Sequence, residues 1–440
     1  MPVRFDDSLE KLVALLEGAA FSLDEATTIV RDGQGRLLVA RAEVRDEEGL
    51  ADRIREGLGA YAGPIPLVTG TLAEELVKDS SVREIPVGAR WIRYADRRIV
   101  GTDWLAAPIE PPAGPPRLVF GSLKGGVGRS TALAVLAADL ARDQRRVLVV
   151  DLDLEAPGIG FMLLRGEGEG SEDERPRYGA IDYLVENGLG GIADEDLVDF
   201  VGVSSLGEGG IHVLPAVGRV TDENPANMLA KLSRALTEDV GPNGRTTVVE
   251  QIRAMIERFA SRSRYGAVLV DARAGLAEAT AAALLGLGGE VLLFGIDEPQ
   301  TFRAYRYLLA HLSRNFDPDV ADWRRRITFV QAKAPASEAA RRAFKDRLYE
   351  LCAEHLYDRE EIDETGSVQP ADFHPAPDEE GPGVPHDALF VLNHPDYHAF
   401  DPIGDRSRLQ PDVYDGPFGA FLRRARELLG LSRPTGDRVR

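Results

Sequence analysis

One cysteine, Cys352, is all that the 440 residues contain. No disulfide can close within such a chain, which fits a reducing compartment. Nor does any stretch approach the roughly 18 consecutive apolar residues of a membrane-spanning helix. The opening residues, Met1-Pro2-Val3-Arg4-Phe5-Asp6-Asp7, hold no apolar signal core, so the expected location is cytoplasmic. Positive charge is scarce too: 52 Lys and Arg stand against 72 Asp and Glu, a formal net charge of −20. A chain this acidic is a poor global match to nucleic acid or anionic lipid, and only a local basic patch would bind either. No internal repeat is found. With 44% hydrophobic residues the chain can bury a proper core, and its length suits one to three domains.

Residues 1–106 read as a small α+β unit. Leu9, Leu12, Val13, Leu15 and Leu16 recur at helical spacing. Residues 27–30 and 37–40 flank Asp32-Gly33-Gln34-Gly35, a hairpin signal. Helices are expected around 54–61 and 72–77, and a late hairpin from residues 91–94 and 98–100. Nothing here has catalytic spacing, so an accessory docking domain is expected. Residues 107–116 are dense in proline and predict a semi-rigid linker. Residues 117–440 follow as the main domain, with a C-terminal extension over 353–440.

The main domain opens on a short apolar run, Leu118-Val119-Phe120, that reads as the end of a strand. Next comes Gly121-Ser122-Leu123-Lys124-Gly125-Gly126-Val127-Gly128-Arg129-Ser130-Thr131, and then an alanine- and leucine-rich helix. Strand, glycine loop and helix make a phosphate cradle. Glycines let the backbone turn its N–H groups toward one anion, and the helix N-terminus adds partial positive charge there. A hydroxyl at Ser130 can hold a Mg²⁺ ion that bridges phosphates. Residues 146–150 read as a buried parallel strand that ends in Asp151-Leu152-Asp153. Carboxylates at that edge of an open α/β sheet sit where ligands bind. Residues 267–270 run in the same way into Asp271 and the turn Ala272-Arg273-Ala274-Gly275, a Walker B form that orients a Mg²⁺ shell.

Elsewhere, strands are expected at 210–216, 290–296 and 327–332, and a helix from Pro299 with Asp297 as its N-cap. Residues 165–178 form a polar loop, and 370–415 show little periodicity. His394 and His398 have i, i+4 spacing, but Pro395 between them indicates a solvated loop. Near the end, Phe418, Phe421, Leu422, Ala425, Leu428 and Leu429 make one apolar stripe, with Arg423, Arg424 and Arg426 off it.

Lys124, standing before the first glycine, marks a deviant Walker A motif. With its three motifs in order, most of residues 117–335 resembles the ParA/MinD family of P-loop ATPases. The resemblance implies a mostly parallel α/β sheet flanked by helices, with ATP and Mg²⁺ as ligands. Carried over residue by residue, backbone N–H groups from Gly125, Gly126, Val127, Gly128, Arg129 and Ser130 would cradle the β- and γ-phosphates, with Thr131 nearer the α-phosphate. Arg129 replaces the family's lysine and would contact the phosphates as a planar, permanently charged fork. Ser130, Asp151 and Asp271 would hold Mg²⁺ and its waters, and Asp153 would position the attacking water. Gln331 would offer an amide edge to adenine. Lys124 would reach the phosphates of the opposite subunit in an ATP-bridged homodimer, in the manner of an arginine finger.

The implied function is a Mg²⁺-dependent ATPase switch that dimerises around ATP. It would signal to a protein partner through its N-terminal domain or its C-terminal region. Arg129 raises a second reading, a slow or non-hydrolysing nucleotide sensor in a signalling or defence system. A third is a positioning ATPase on DNA or membrane, through the clusters Arg324-Arg325-Arg326 and Arg341-Arg342 or the C-terminal helix. Packing of that helix on the core is the favoured expectation.

Overall fold

The computed structural model describes residues 3–44, 49–166, 173–241, 244–261, 265–317, 322–358, 361–362, 368–369 and 371–431. Residues 167–172 of the expected polar loop and residues 432–440 lie outside these. The chain divides into two compact units, Met1–Leu105 and Ala106–Arg440.

The first unit comprises α1 (Phe5–Gly18), β1 (Thr28–Arg31), β2 (Leu37–Ala40), α2 (Leu50–Leu58), β3 (Ala62–Val68), α3 (Gly70–Lys78), β4 (Arg83–Val87) and β5 (Arg90–Asp96). Its sheet runs β3-β2-β1-β5-β4. Leu9, Leu12, Leu16, Ile54 and Leu58 of α1 and α2 pack with Ile29, Val39 and Ile92 of the sheet. Ala73 and Leu76 of α3 pack with Val30, Val68 and Ala95. The late hairpin differs from expectation. β5 pairs with β4 across Gly88, whose φ of +61° suits a residue without Cβ. Ile99 and Val100 carry no strand and are exposed.

The second unit opens with β6 (Arg117–Ser122), α4 (Arg129–Arg142), β7 (Val147–Leu152), α5 (Ile159–Leu163), α6 (Ala180–Leu189), β8 (Gly202–Val203) and β9 (Ile211–Leu214). Two short helices, α7 (Arg219–Glu223) and α8 (Met228–Ala235), lead to a small hairpin, β10 (Asp239–Gly241) and β11 (Gly244–Thr246). Then come α9 (Val248–Ser261), β12 (Ala267–Ala274), α10 (Glu278–Leu285), β13 (Glu290–Gly295), α11 (Pro299–Asn315), β14 (Ile327–Ala334) and α12 (Glu338–His355). The unit closes with a second small hairpin, β15 (Glu361–Ile362) and β16 (Val368–Gln369), then β17 (Leu389–Leu392) and α13 (Pro411–Leu428).

The main sheet runs β17-β14-β13-β6-β12-β7-β9-β8. All its pairings are parallel except β8 with β9. The strand β17 was not foreseen, because its four residues emerge from a stretch without periodicity. The proline-rich stretch expected as a spacer is anchored: Ile109 donates to Leu285 O at 3.2 Å and accepts from Arg326 at 2.8 Å. Asp297 does not cap α11; it pairs with Arg347, and Glu298 takes the N-cap position.

Helix α4 is rich in alanine and buried along nearly its whole length, between the sheet and α13. The apolar stripe of α13 is spent on this core. Phe421 meets Phe120 of β6 and Phe294 of β13 edge-on, at centroid distances of 6.3 and 5.9 Å. Arg426, expected on the outer face, is buried instead. Its guanidinium grips Asp139 of α4 at 2.6 Å and Asp143 at 2.7 Å, while the Tyr414 hydroxyl donates to Asp139 at 2.9 Å. The reason is the buried acid Asp139 facing this helix, which both Arg426 and, from the turns added at Pro411, Tyr414 satisfy.

Removing one member of a buried ion pair strands the other. Arg426→Met is therefore expected to cost about 3 kcal/mol in urea unfolding. Adding Asp139→Leu should recover part of that loss. A single variant as stable as the wild type would contradict this role.

Candidate functional site

Three adjacent parallel strands deliver the site. β6 ends at Ser122, and the loop to α4 turns on Gly126 and Gly128, with φ of +73° and +89°. Side-chain-bearing residues rarely adopt that conformation, so glycine is required at both positions. Val127 between them is buried and ties the loop to the core. The first-turn N–H groups of α4 have no acceptor inside the helix and so are left for an anion. Ser130 and Thr131 occupy that first turn.

Asp151 on β7 and Asp271 on β12 are register partners. Their side chains therefore project from the same face of neighbouring strands. Both are essentially unexposed. Burial pushes Asp151 up from an ordinary 3.8 to about 8, with the nearby Asp271 charge adding to it. Burial also raises Asp271, against the pull of the Arg129 guanidinium. Asp151 accepts from the backbone N–H groups of Asp153 and Gly158, at 3.1 and 3.2 Å, and so shapes the loop that follows β7.

Arg129 is the centre of the cluster. It is only 7% exposed. Its Nε donates to Asp271 Oδ1 at 2.6 Å and its Nη2 to Asp153 Oδ2 at 3.1 Å. Ser130 Oγ donates to the other Asp271 oxygen at 2.6 Å. Arg129, expected to contact phosphates, here bridges two carboxylates. The physical reason is that Asp271, buried against Asp151, needs a counter-charge.

Lys124 is also engaged, with Glu298 at the start of α11, at 2.6 Å. Gln331 does not present its amide to a base at the open end of the sheet. It is fully buried and shares a face with Phe329, which packs on Tyr305 of α11. Both of its amide atoms lack a partner. Sequence reasoning missed three residues. Arg273 pairs with Glu155 and so joins the end of β12 to the loop after β7. Glu298 binds Lys124. Lys333 donates to Gly126 O at 2.9 Å.

Other candidates fall away from the site. His398 meets Asn393 at 2.9 Å, and His394 accepts from the Asp396 N–H. Arg324 is buried and paired with Asp322 and Asp358, and Arg341 donates to the carbonyls of Pro335 and Ala336.

The donors present fit Mg²⁺. A serine hydroxyl and carboxylates are the hard oxygens this ion takes. Asp153 Oδ1 is buried and has no hydrogen-bond partner, which leaves it able to orient a water. Among the described residues no three His, Cys, Asp or Glu side chains form a metal cage.

Residues 118–288 match the family described as the CobQ/CobB/MinD/ParA nucleotide binding domain. This segment is similar to that family of nucleotide-binding domains. The match spans β6 to α10, and so takes in the glycine loop, Asp151, Asp153 and Asp271. An iron-sulfur cluster carrier protein of Deinococcus radiodurans is 42% identical over 62 residues, which are 14% of this chain and 18% of that protein. The chain thus spans under a fifth of that relative's length. MinD cell division protein of Aquifex aeolicus overlaps 73% of this chain and 100% of its own, at 16% identity and a TM-score of 0.41. An ATP complex of a Cyanothece McdA variant overlaps 74% of this chain and 100% of its own, at 12% identity and a TM-score of 0.41. Likenesses this distant add no functional weight. No helix among the described residues is long and apolar enough to cross a membrane.

The raised Asp151 sets a pH dependence for this domain. Its folded pKa of about 8 lies above the unfolded 3.8. The proton-bound form therefore contributes stability that is complete below the lower value and lost as pH rises through the upper one. In EDTA, this group should lower the melting temperature as pH rises from about 4 to about 8, and Asp151→Asn should flatten that fall. Glu290, raised by burial to about 7, adds its own slope to both proteins. Equal slopes for wild type and variant would refute the assignment to Asp151.

Proposed function

We propose that this protein is a Mg²⁺-dependent ATPase switch whose two copies close around ATP. The observation that carries this reading is the convergence of Arg129, Ser130, Asp153 and Asp271 directly ahead of the α4 N-terminus. The loop N–H groups from Gly125 to Ser130 bind the β- and γ-phosphates, and Thr131 lies nearer the α-phosphate. Mg²⁺, when bound, supplies neutralising charge to the β- and γ-oxygens. Ser130, Asp271 and Asp151 would hold it.

For this to happen Arg129 must leave Asp271. The fork then turns toward the phosphates that replace the carboxylate as its anion. Asp153, relieved of Arg129, directs a water at the γ-phosphate. Lys124 leaves Glu298 and meets the phosphates of the partner copy. Water attack breaks the bond between the γ-phosphorus and the bridging oxygen of ADP; departure of the inorganic phosphate removes the anion that Lys124 meets, and the two copies separate.

The buried pairing of Arg129 with two carboxylates favours slow turnover. A sensor that binds ATP tightly and releases little phosphate is accordingly the second reading. Of the side chains first considered for DNA or membrane contact, Arg324 and Arg341 bond within the chain, and the apolar face of α13 packs on the core.

Phosphate release per protomer should rise with protein concentration. Lys124→Ala should abolish that rise and lower the rate by on the order of 10³. Asp153→Ala should retain ATP-dependent dimers by light scattering while losing hydrolysis. A rate independent of concentration and of Lys124 would remove the shared site.

A further inference from the structure

Lys333 stands at the end of β14 with φ of +51°. A lysine in the left-handed region is uncommon, and such outliers persist where the surroundings hold them. The surroundings do so here. Ala332 and Ala334 on either side are buried, and Ala334 O accepts from the Asn393 N–H at 2.9 Å. The pairing of β14 with β17 shifts register between Gln331 and Ala334, the interval that contains Lys333. The side chain itself is exposed and reaches two strands across the sheet, over β13, to the loop after β6. There its ammonium donates to Gly126 O at 2.9 Å.

The acceptor is informative. Gly126 is one of the two loop glycines with positive φ. In a planar trans peptide the carbonyl and the following N–H point in opposite directions. Holding the Gly126 carbonyl outward therefore fixes the direction of the Val127 N–H, one of the groups that would cradle a phosphate. Of the three cations at this loop, Arg129 is spent on Asp271 and Asp153, and Lys124 on Glu298. Lys333 has no carboxylate partner among the described residues, and it binds the loop backbone directly.

We propose that Lys333 is a positioning residue that pre-organises the phosphate loop by pinning the peptide between Gly126 and Val127. The inference rests on the reading of this loop as a nucleotide site. It assigns to β14, outside the segment that matches the family, a part in binding. The strained backbone at Lys333 is what aims the side chain across β13. The cost is met by the strand ends on either side, so the loop's N–H groups are set before a ligand arrives.

The test uses the full chain and three variants. Lys333→Met keeps the stem and removes the ammonium. Lys333→Arg keeps a charged donor. Lys333→Gly relaxes the backbone. Calorimetry with MgATP and with MgADP should show Lys333→Met and Lys333→Gly binding each nucleotide about tenfold or more weakly, as for a lost hydrogen bond from a charged donor. Lys333→Arg should recover most of the affinity. Without nucleotide Lys333→Met and Lys333→Arg should melt with the wild type. A parallel loss for both nucleotides supports positioning. Loss for MgATP alone would mean a direct γ-phosphate contact and overturn it, as would unchanged affinities or a fall in melting temperature with affinity intact. Wild-type protein that binds neither nucleotide would overturn this inference together with the proposed function, whereas wild-type binding with an indifferent Lys333 overturns this inference alone.

Discussion

The guanidinium of Arg129 lies between Asp271 and Asp153, and the order of the whole site depends on it. Asp271 is buried in register with Asp151, and two carboxylates so placed cannot both stay charged without a cation. Breaking such a pair costs on the order of 3 kcal/mol, far more than an exposed ion pair contributes. Arg129 also links the first turn of α4 to the ends of two strands. Whatever draws Arg129 away must give Asp271 another positive charge and give Arg129 another anion. A Mg²⁺–nucleotide complex meets both demands at once, and a nucleotide without the metal meets only the second.

The scaffold keeps this exchange local. Helix α4 is gripped by the sheet on one side and by α13 on the other, where Arg426, Tyr414 and Asp139 form a buried network. Beneath the loop, Phe120, Phe294 and Phe421 pack as one aromatic group. The movable parts are the side chains at the C-terminal ends of the strands. Lys124 is held by Glu298, Arg273 by Glu155, and Lys333 holds Gly126. The Lys124 and Arg273 contacts lie at or near the surface, where exchange of partners costs little.

What the sequence made legible is what local pattern encodes. The strands leading to the glycine loop, Asp151 and Asp271 were readable because apolar runs stop at those residues, but β12 continues to Ala274 through the turn expected at 272–274. The site residues themselves were readable as residue types in a familiar order. Their partners were not. Arg129 meets Asp271 across 142 positions of sequence, and Lys333 meets Gly126 across 207. Gln331 misled because an amide near a strand end says nothing about which face it takes; its neighbour Phe329 reveals that only once packed on Tyr305. Arg426 misled in the same way, since a charge beside an apolar stripe is normally solvated unless a buried acid such as Asp139 awaits it. The strand β17 was too short to show a period.

The central claim is that metal–nucleotide binding exchanges counter-charge at the buried carboxylates. At pH 7 Asp151, with its pKa near 8, holds a proton that a bound cation would displace. Calorimetric titration of MgATP in two buffers of different ionisation enthalpy reads that proton directly. The account predicts saturable binding with net proton release, reduced in Asp151→Asn. Saturable binding with the same heat in both buffers would contradict it.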